Sequence, residues 1–286
     1  MIDGEKKRIA ERLAVYCRQM GGQNKAANSL KGVSSATISK VLNNQWDTIA
    51  DTMWHSISAQ IGANAGDWQV VETAAYSDMI DLMASAKEDS QVLAIVGSAG
   101  GGKSVAIREY ASATAGVHVV SCSEYMNKNA FLREVLRVMG LDNQGMNVAE
   151  MVDDVVSRLK RQDRPLLILD EADKLSDQVL YFFITMYNKL EDACGLILCA
   201  TQYLEKRILK GVRIERKGYA EIFSRIGRQF IHLPEANRED IAAICVANGV
   251  TDARVINAIV KESDCDLRRV KRAVWKYHKL SGQEAA

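Results

Sequence analysis

Residues 92–104 read Val-Leu-Ala-Ile-Val-Gly-Ser-Ala-Gly-Gly-Gly-Lys-Ser, and this stretch decides the fold. The apolar run Val92–Val96 has the length and branching of a buried strand. It leads into Gly97, Ser98, Ala99, Gly100, Gly101, Gly102, Lys103 and Ser104, which fit G-x-x-x-x-G-K-[ST] at every fixed position. A helical run, Val105–Ala113, follows. Glycines let the backbone curl around a phosphate with its N–H groups inward, and the start of the next helix adds partial positive charge. Residues 97–105 are therefore the candidate nucleotide-binding segment. In it Lys103 is placed to reach the β and γ phosphates of ATP, and the Ser104 hydroxyl to ligate Mg2+.

Working outward, four further apolar runs occur: VHVVSC at 117–122, PLLILD at 165–170, GLILCAT at 195–201 and QFIHL at 229–233. Helical patterns lie between them. Strands alternating with helices predict a parallel sheet covered on both faces. Ligands of such sheets sit at the carboxyl ends of the strands. The 166–170 run ends there in Asp170, Glu171 and, two residues on, Asp173. Asp170 is a candidate for the Mg2+ shell and Glu171 for the base that polarises the attacking water. The next strand ends at Thr201 and Gln202, either of which is a candidate sensor of the γ phosphate. Arg225 and Arg228 lie in EIFSRIGR (221–228), and one of them is a candidate to reach a neighbouring subunit's nucleotide, with Arg225 preferred. Arg268 opens a helix near the C-terminus and is a candidate to touch the nucleotide from a helical lid.

Composition narrows the class. The chain has 286 residues, 48% hydrophobic and 26% charged, which disfavours both disorder and a membrane protein. The N-terminus has charge without an apolar core, so no secretory leader is expected, and a cytoplasmic location is. The only prolines are Pro165 and Pro234, so little forbids helix. The six cysteines form no CxxC pair and read as buried, reduced thiols. Net charge is +1, but residues 1–60 carry +3, residues 61–203 carry −8 and residues 204–286 carry +6. Basic ends around an acidic middle suggest a polyanionic partner.

Two segments are candidates for that contact. Residues 25–44 predict helix, tight turn, helix, with Gly32 opening the turn, Ser34 capping the second helix and Val33, Ile38 and Leu42 facing inward. Ser34, Ser35, Thr37, Ser39 and Lys40 are then the candidate DNA-facing side chains. The pattern resembles repressor-type helix-turn-helix domains. Residues 205–218 hold six basic and two acidic side chains and predict an exposed basic stretch containing Lys206, Arg207, Lys210 and Arg213. Farther on, Trp275 and Tyr277 are expected in the core of the lid.

IVGSAGGGKS, LLILDEADKL, GLILCAT, AEIFSRIGR and DLRRVKRAV, in this order, resemble the AAA+ ATPases, and more closely the MuB/TnsC-like transposition target-selection family. The resemblance covers roughly residues 68–280, and VVET at 70–73 is similar to the segment leading into that family's ATPase domain. Thr201 departs from it, since the family often has Asn there. The resemblance implies an α/β AAA+ P-loop fold with a parallel sheet and a C-terminal helical lid, preceded by a small all-α helix-turn-helix domain. The expected divisions are 1–62 (helix-turn-helix), 63–72 (linker), 73–234 (P-loop subdomain) and 235–286 (lid). It also implies an ATPase that assembles as a filament or ring on double-stranded DNA, tracks the backbone with the 205–218 stretch, selects target DNA and activates a transposase of the DDE/integrase type. A helicase loader or replication-initiation ATPase shares the same motifs. So does a helix-turn-helix regulator that uses ATP only as a switch.

Overall fold

The computed structural model describes residues 3–61, 68–142 and 145–284. The expected linker residues 63–67 lie outside them. The first unit is four helices: α1 (Asp3–Gln19), α2 (Gln23–Ser29), α3 (Ser35–Leu42) and α4 (Asp51–Ile61). Leu13, Ile38, Trp54 and Ile57 are fully buried at its centre, and Trp46 meets Trp54 edge-on at 5.8 Å. α2 and α3 are joined by residues 30–34, with Gly32 at φ +71° between them. The Ser34 side chain accepts from the Thr37 N–H and so caps α3.

A parallel α/β unit follows: α5 (Ala74–Glu88), β1 (Val92–Val96), α6 (Lys103–Ala113), β2 (Val117–Ser121), α7 (Lys128–Val138) and α8 (Val148–Lys160). It continues through β3 (Leu166–Asp170), α9 (Asp177–Leu190), β4 (Gly195–Ala200), α10 (Gln202–Arg213), α11 (Tyr219–Arg225) and β5 (Ile231–His232). The strand order is β2-β3-β4-β1-β5, and every pairing is parallel. Strand alternation divides the core. Ile95, Ile168, Ile197 and Cys199 pack under α5 and α6 on one face. Val96, Leu167, Leu169 and Leu198 pack under α7 to α11 on the other. All of β3 and β4 is buried, which is why both read as continuous apolar runs. β5 is shorter than the 229–233 run. It is an edge strand that pairs only Ile95 and Val96, and Phe230 instead stacks on Phe223 at 6.1 Å.

The last unit is α12 (Arg238–Ala247), α13 (Ala253–Ser263) and α14 (Leu267–Glu284), closed over Ile241, Cys245, Val250, Val270 and Val274. Trp68 and Val71 pack against it, and Asn248 clasps the backbone of Gln69 with both side-chain atoms, at 2.8 and 3.0 Å. Trp275 departs from its expected place in the lid core: it is 64% exposed, with Lys279 Nζ 5.0 Å from its ring centroid. The buried stripe of α14 runs through Val270, Val274 and Tyr277, and Trp275 lies about 100° off it. Among the described residues no helix is long and apolar enough to cross a membrane.

Candidate nucleotide-binding site

Register places the site. Val96 pairs with Ala200, and Leu169 with Leu198, so β1, β3 and β4 end at one edge of the sheet. The glycine loop, Asp170 and Thr201 therefore leave the sheet side by side. They open onto a cavity of about 350 Å3. Its floor is Ala99, Gly100, Gly101, Gly102, Lys103, Ser104 and Val105, and its acidic wall is Asp170, Glu171 and Asp173. Thr201 and Arg268 also line it. Gly97, Ser98, Gln202, Arg225 and Arg228 do not.

Gly97 and Ser98 act from beneath. Their carbonyls accept from Lys103 Nζ at 2.9 and 2.8 Å. Burial pulls the Lys103 ammonium below the ordinary lysine value, opposed by Cys199, Asp170 and Asp173. The loop requires glycine at its centre: Gly100 sits at φ +81°, and a Cβ there would collide with the Asp266 carboxylate. Asp266 belongs to the lid. Its Oδ1 accepts from the N–H of Arg268 at 2.8 Å, and the N–H of Leu267 donates to the Gly100 carbonyl at 3.0 Å. The start of α14 is thus fastened to the loop.

Asp170 is buried at the tip of β3, and its Oδ1 accepts from the Glu171 N–H at 2.9 Å. Glu171 is in the left-handed region, φ +57°, where a non-glycine residue is strained, and this turns its side chain into the cavity. Its Oε2 accepts from Lys174 Nζ at 2.6 Å. Thr201 caps α10 and also donates to Asp173 Oδ2 at 2.7 Å, which ties β4 to the acidic turn. Ser104 and Asp170 present a hydroxyl and a carboxylate to one cavity. Mg2+ takes one or two such groups and completes its shell with waters and phosphate oxygens, so the pair fits that ion.

Several lining residues carry no motif. Trp68, Val70, Val71, Tyr76 and Ile244 add apolar walls, and Arg12, Arg108, Lys174 and Lys271 add charge. Only the VVET segment gave a sequence signal for part of this wall.

The other candidate residues lie elsewhere. Arg225 stacks on Tyr187, its guanidinium carbon 5.0 Å from the ring centroid, and its buried Nε has no partner among the described residues. Arg228 is exposed at φ +56°. Ser34, which caps α3, and Ser35 and Lys40 within it are exposed. The Thr37 hydroxyl bonds Ser34 at 2.9 Å, and half-buried Ser39 accepts from Asn43. Lys206, Lys210 and Arg213 line an exposed face of α10, as expected. Arg207 does not. It turns inward, donates to the Leu175 carbonyl at 2.7 Å and to Tyr219 Oη at 3.1 Å, and pairs with Asp177. A 3.6-residue period separates it by one position from the exposed face of Lys206 and Lys210, so it faces the core side where Asp177 waits.

Residues 86–208 match the AAA domain family. The chain is 24% identical over 191 residues to the Mu-like prophage FluMu DNA transposition protein B of Haemophilus influenzae, covering 66% of this chain. It spans 65% of that relative's length, just under two thirds. A crystal structure of NtrX from Brucella abortus superposes with a TM-score of 0.51 at 14% identity, over 83% of this chain and 58% of that one, which is a likeness of fold. The all-parallel sheet, the glycine loop and the matched segment agree: residues 86–208 of this chain carry an AAA domain on a P-loop NTPase fold, and the chain is similar to a Mu-like phage transposition protein B.

Proposed function

We propose that this protein is a Mg2+-dependent ATPase that assembles on double-stranded DNA, marks it as a target and activates a transposase of the DDE/integrase type. The observation that carries the reading is the shared cavity, in which the glycine loop, Lys103, Ser104, Asp170, Glu171 and Thr201 converge. The loop N–H groups and the start of α6 bind the phosphates. Lys103 leaves its carbonyl partners to meet the β and γ oxygens, and Ser104 and Asp170 hold Mg2+, which neutralises charge on the phosphates when bound. Glu171 accepts a proton from the attacking water. Thr201, oriented by Asp173, reports the γ phosphate, and Arg268 contacts the nucleotide from α14. Trp68, Val71 and Tyr76 provide the apolar side on which a base can rest.

Arg225 lies outside its own chain's cavity. It would complete the site of a neighbouring protomer, so turnover would depend on assembly. DNA contact is assigned to Lys206, Lys210 and Arg213 of α10, which suit phosphates without sequence choice, and to Ser35, Thr37, Ser39 and Lys40 of the helix-turn-helix. Residues 1–62 form the DNA-binding domain, 73–234 the P-loop subdomain and 235–286 the lid. The similarity to a phage transposition protein supports the transposase as partner.

Electron microscopy of the protein with ATP, Mg2+ and random duplex tests this. Continuous filaments that disassemble when transposase is added are expected. Operator-limited binding indifferent to ATP, or capture of a replicative helicase instead of a transposase, would overturn it.

A further inference from the structure

The N-terminal unit is seated on the sheet unit. α2 meets the C-terminal end of α7, where Arg137 donates Nη1 to the Ser29 carbonyl and its Nε to Glu134 at 2.8 Å. Asn28 Nδ2 reaches the Gly140 carbonyl at 3.4 Å. Gly140 is at φ +70°, and a Cβ there would stand 2.8 Å from Lys25 Cβ and 2.9 Å from its carbonyl oxygen, so the two backbones meet with no room for a side chain. The seat extends to α1, because the Ser29 hydroxyl, buried beneath it, bonds Tyr16 Oη at 2.7 Å. One turn before Tyr16 on α1 stands Arg12, and Arg12 lines the cavity described above.

Charge gives that placement a meaning. Counting Arg12, six basic and four acidic side chains line the cavity. An arginine that shares a cavity lining with a glycine loop and a surplus of basic side chains is stabilised there by an anion and repelled without one.

We propose that Arg12 is a ligand of the bound nucleoside triphosphate, supplied by the helix-turn-helix unit and held in place by the seat of Ser29 and Gly140 against α7. The proposal rests on the nucleotide reading of the cavity. By linkage, a triphosphate that gains a contact from the seated unit must tighten the seat by the same factor. The nucleotide then fixes where the exposed residues of α3 point.

Calorimetric titration of the full chain with ATP and Mg2+ tests this. Arg12→Ala should weaken binding by about five- to tenfold, the size of one charge-assisted contact, and Arg12→Lys by less. Arg137→Ala, which loosens the seat, should weaken it by a similar factor, and Arg12→Ala with Arg137→Ala should be no weaker than the weaker single variant. Arg12 is exposed, so its variants should melt as the parent does; matching melts keep the comparison interpretable if Arg137→Ala is itself unstable. Arg12→Ala within twofold of the parent, while Lys103→Ala abolishes binding, overturns this proposal and leaves the nucleotide reading standing. Arg12→Ala weakened with a well-folded Arg137→Ala unaltered overturns the role of the seat. No ATP binding by the parent overturns the nucleotide reading, and this proposal with it.

Discussion

Lys174 Nζ donates to Glu171 Oε2 at 2.6 Å, so the carboxylate assigned to activate water is held by a cation three residues on. Both side chains are more than a third exposed, and a pair this open is weak. It is easily surrendered when a ligand enters. Glu171→Gln removes the proposed base and keeps the shape. It should bind ATP as the parent does and release phosphate at least about 100-fold more slowly, in the range of a lost general base. Unchanged phosphate release would take Glu171 out of that role.

Gly100 and Asp266 couple the phosphate loop to the lid. Gly100→Ala places a methyl group against the Asp266 carboxylate at a φ of +81°, so both sterics and backbone resist it. A cost of about 1–3 kcal/mol in unfolding free energy is expected. The nearby Gly101→Ala, whose Cβ would meet Ser98 at 3.1 and 3.2 Å without a positive φ, should cost less. Urea titrations of the two variants measure the difference.

Two kinds of arginine and lysine share α10, and they should separate by assay. Arg207→Ala removes a half-buried guanidinium that joins Leu175, Asp177 and Tyr219, and should destabilise the fold by about 2–3 kcal/mol. Charge reversal at Lys206, Lys210 and Arg213 should leave stability within about 0.5 kcal/mol. It should weaken binding to any duplex and flatten its salt dependence. Thermal melts and fluorescence titrations across salt give both readouts. A steep salt slope in the reversal variant would make that face ordinary surface.

The contrast at Arg207 shows where the sequence stops being legible. The glycine loop, the acidic end of β3 and the strand runs were readable because each is local: period, spacing and residue type suffice. Arg207 was not, because its environment comes from Asp177 and Tyr219, thirty and twelve residues away, and a charge run does not say which member turns inward. Trp275 failed for a related reason: an amphipathic helix fixes a stripe, and an aromatic residue just off it stays exposed. The apolar wall of the cavity and the seat of α2 on α7 are wholly tertiary. Nothing in the text around Arg12 or Gly140 marks them as neighbours of other units.

His118 provides a pH test of the β2 edge. Burial holds its imidazole below the ordinary value of 6.5, with Lys25 of the N-terminal unit adding repulsion against the hydrogen bonds to Gln162 and the Val138 backbone. The unfolded chain therefore binds the proton more readily than the folded one. Stability from this group is complete above pH 6.5 and falls as pH drops from there toward the lowered folded value. Urea midpoints should decline between about pH 7 and pH 5.5, ahead of carboxylate titration, and His118→Gln should remove much of that slope. An identical slope in the variant would place the effect elsewhere.

The central claim is that the cavity at the carboxyl edge of β1, β3 and β4 grips a nucleoside triphosphate through the glycine loop and Lys103. Isothermal titration of ATP with Mg2+ into the parent and Lys103→Ala is the most direct test. Saturable one-site binding in the parent and none in the variant is the predicted result. Equal binding by both, or none by either, would contradict it.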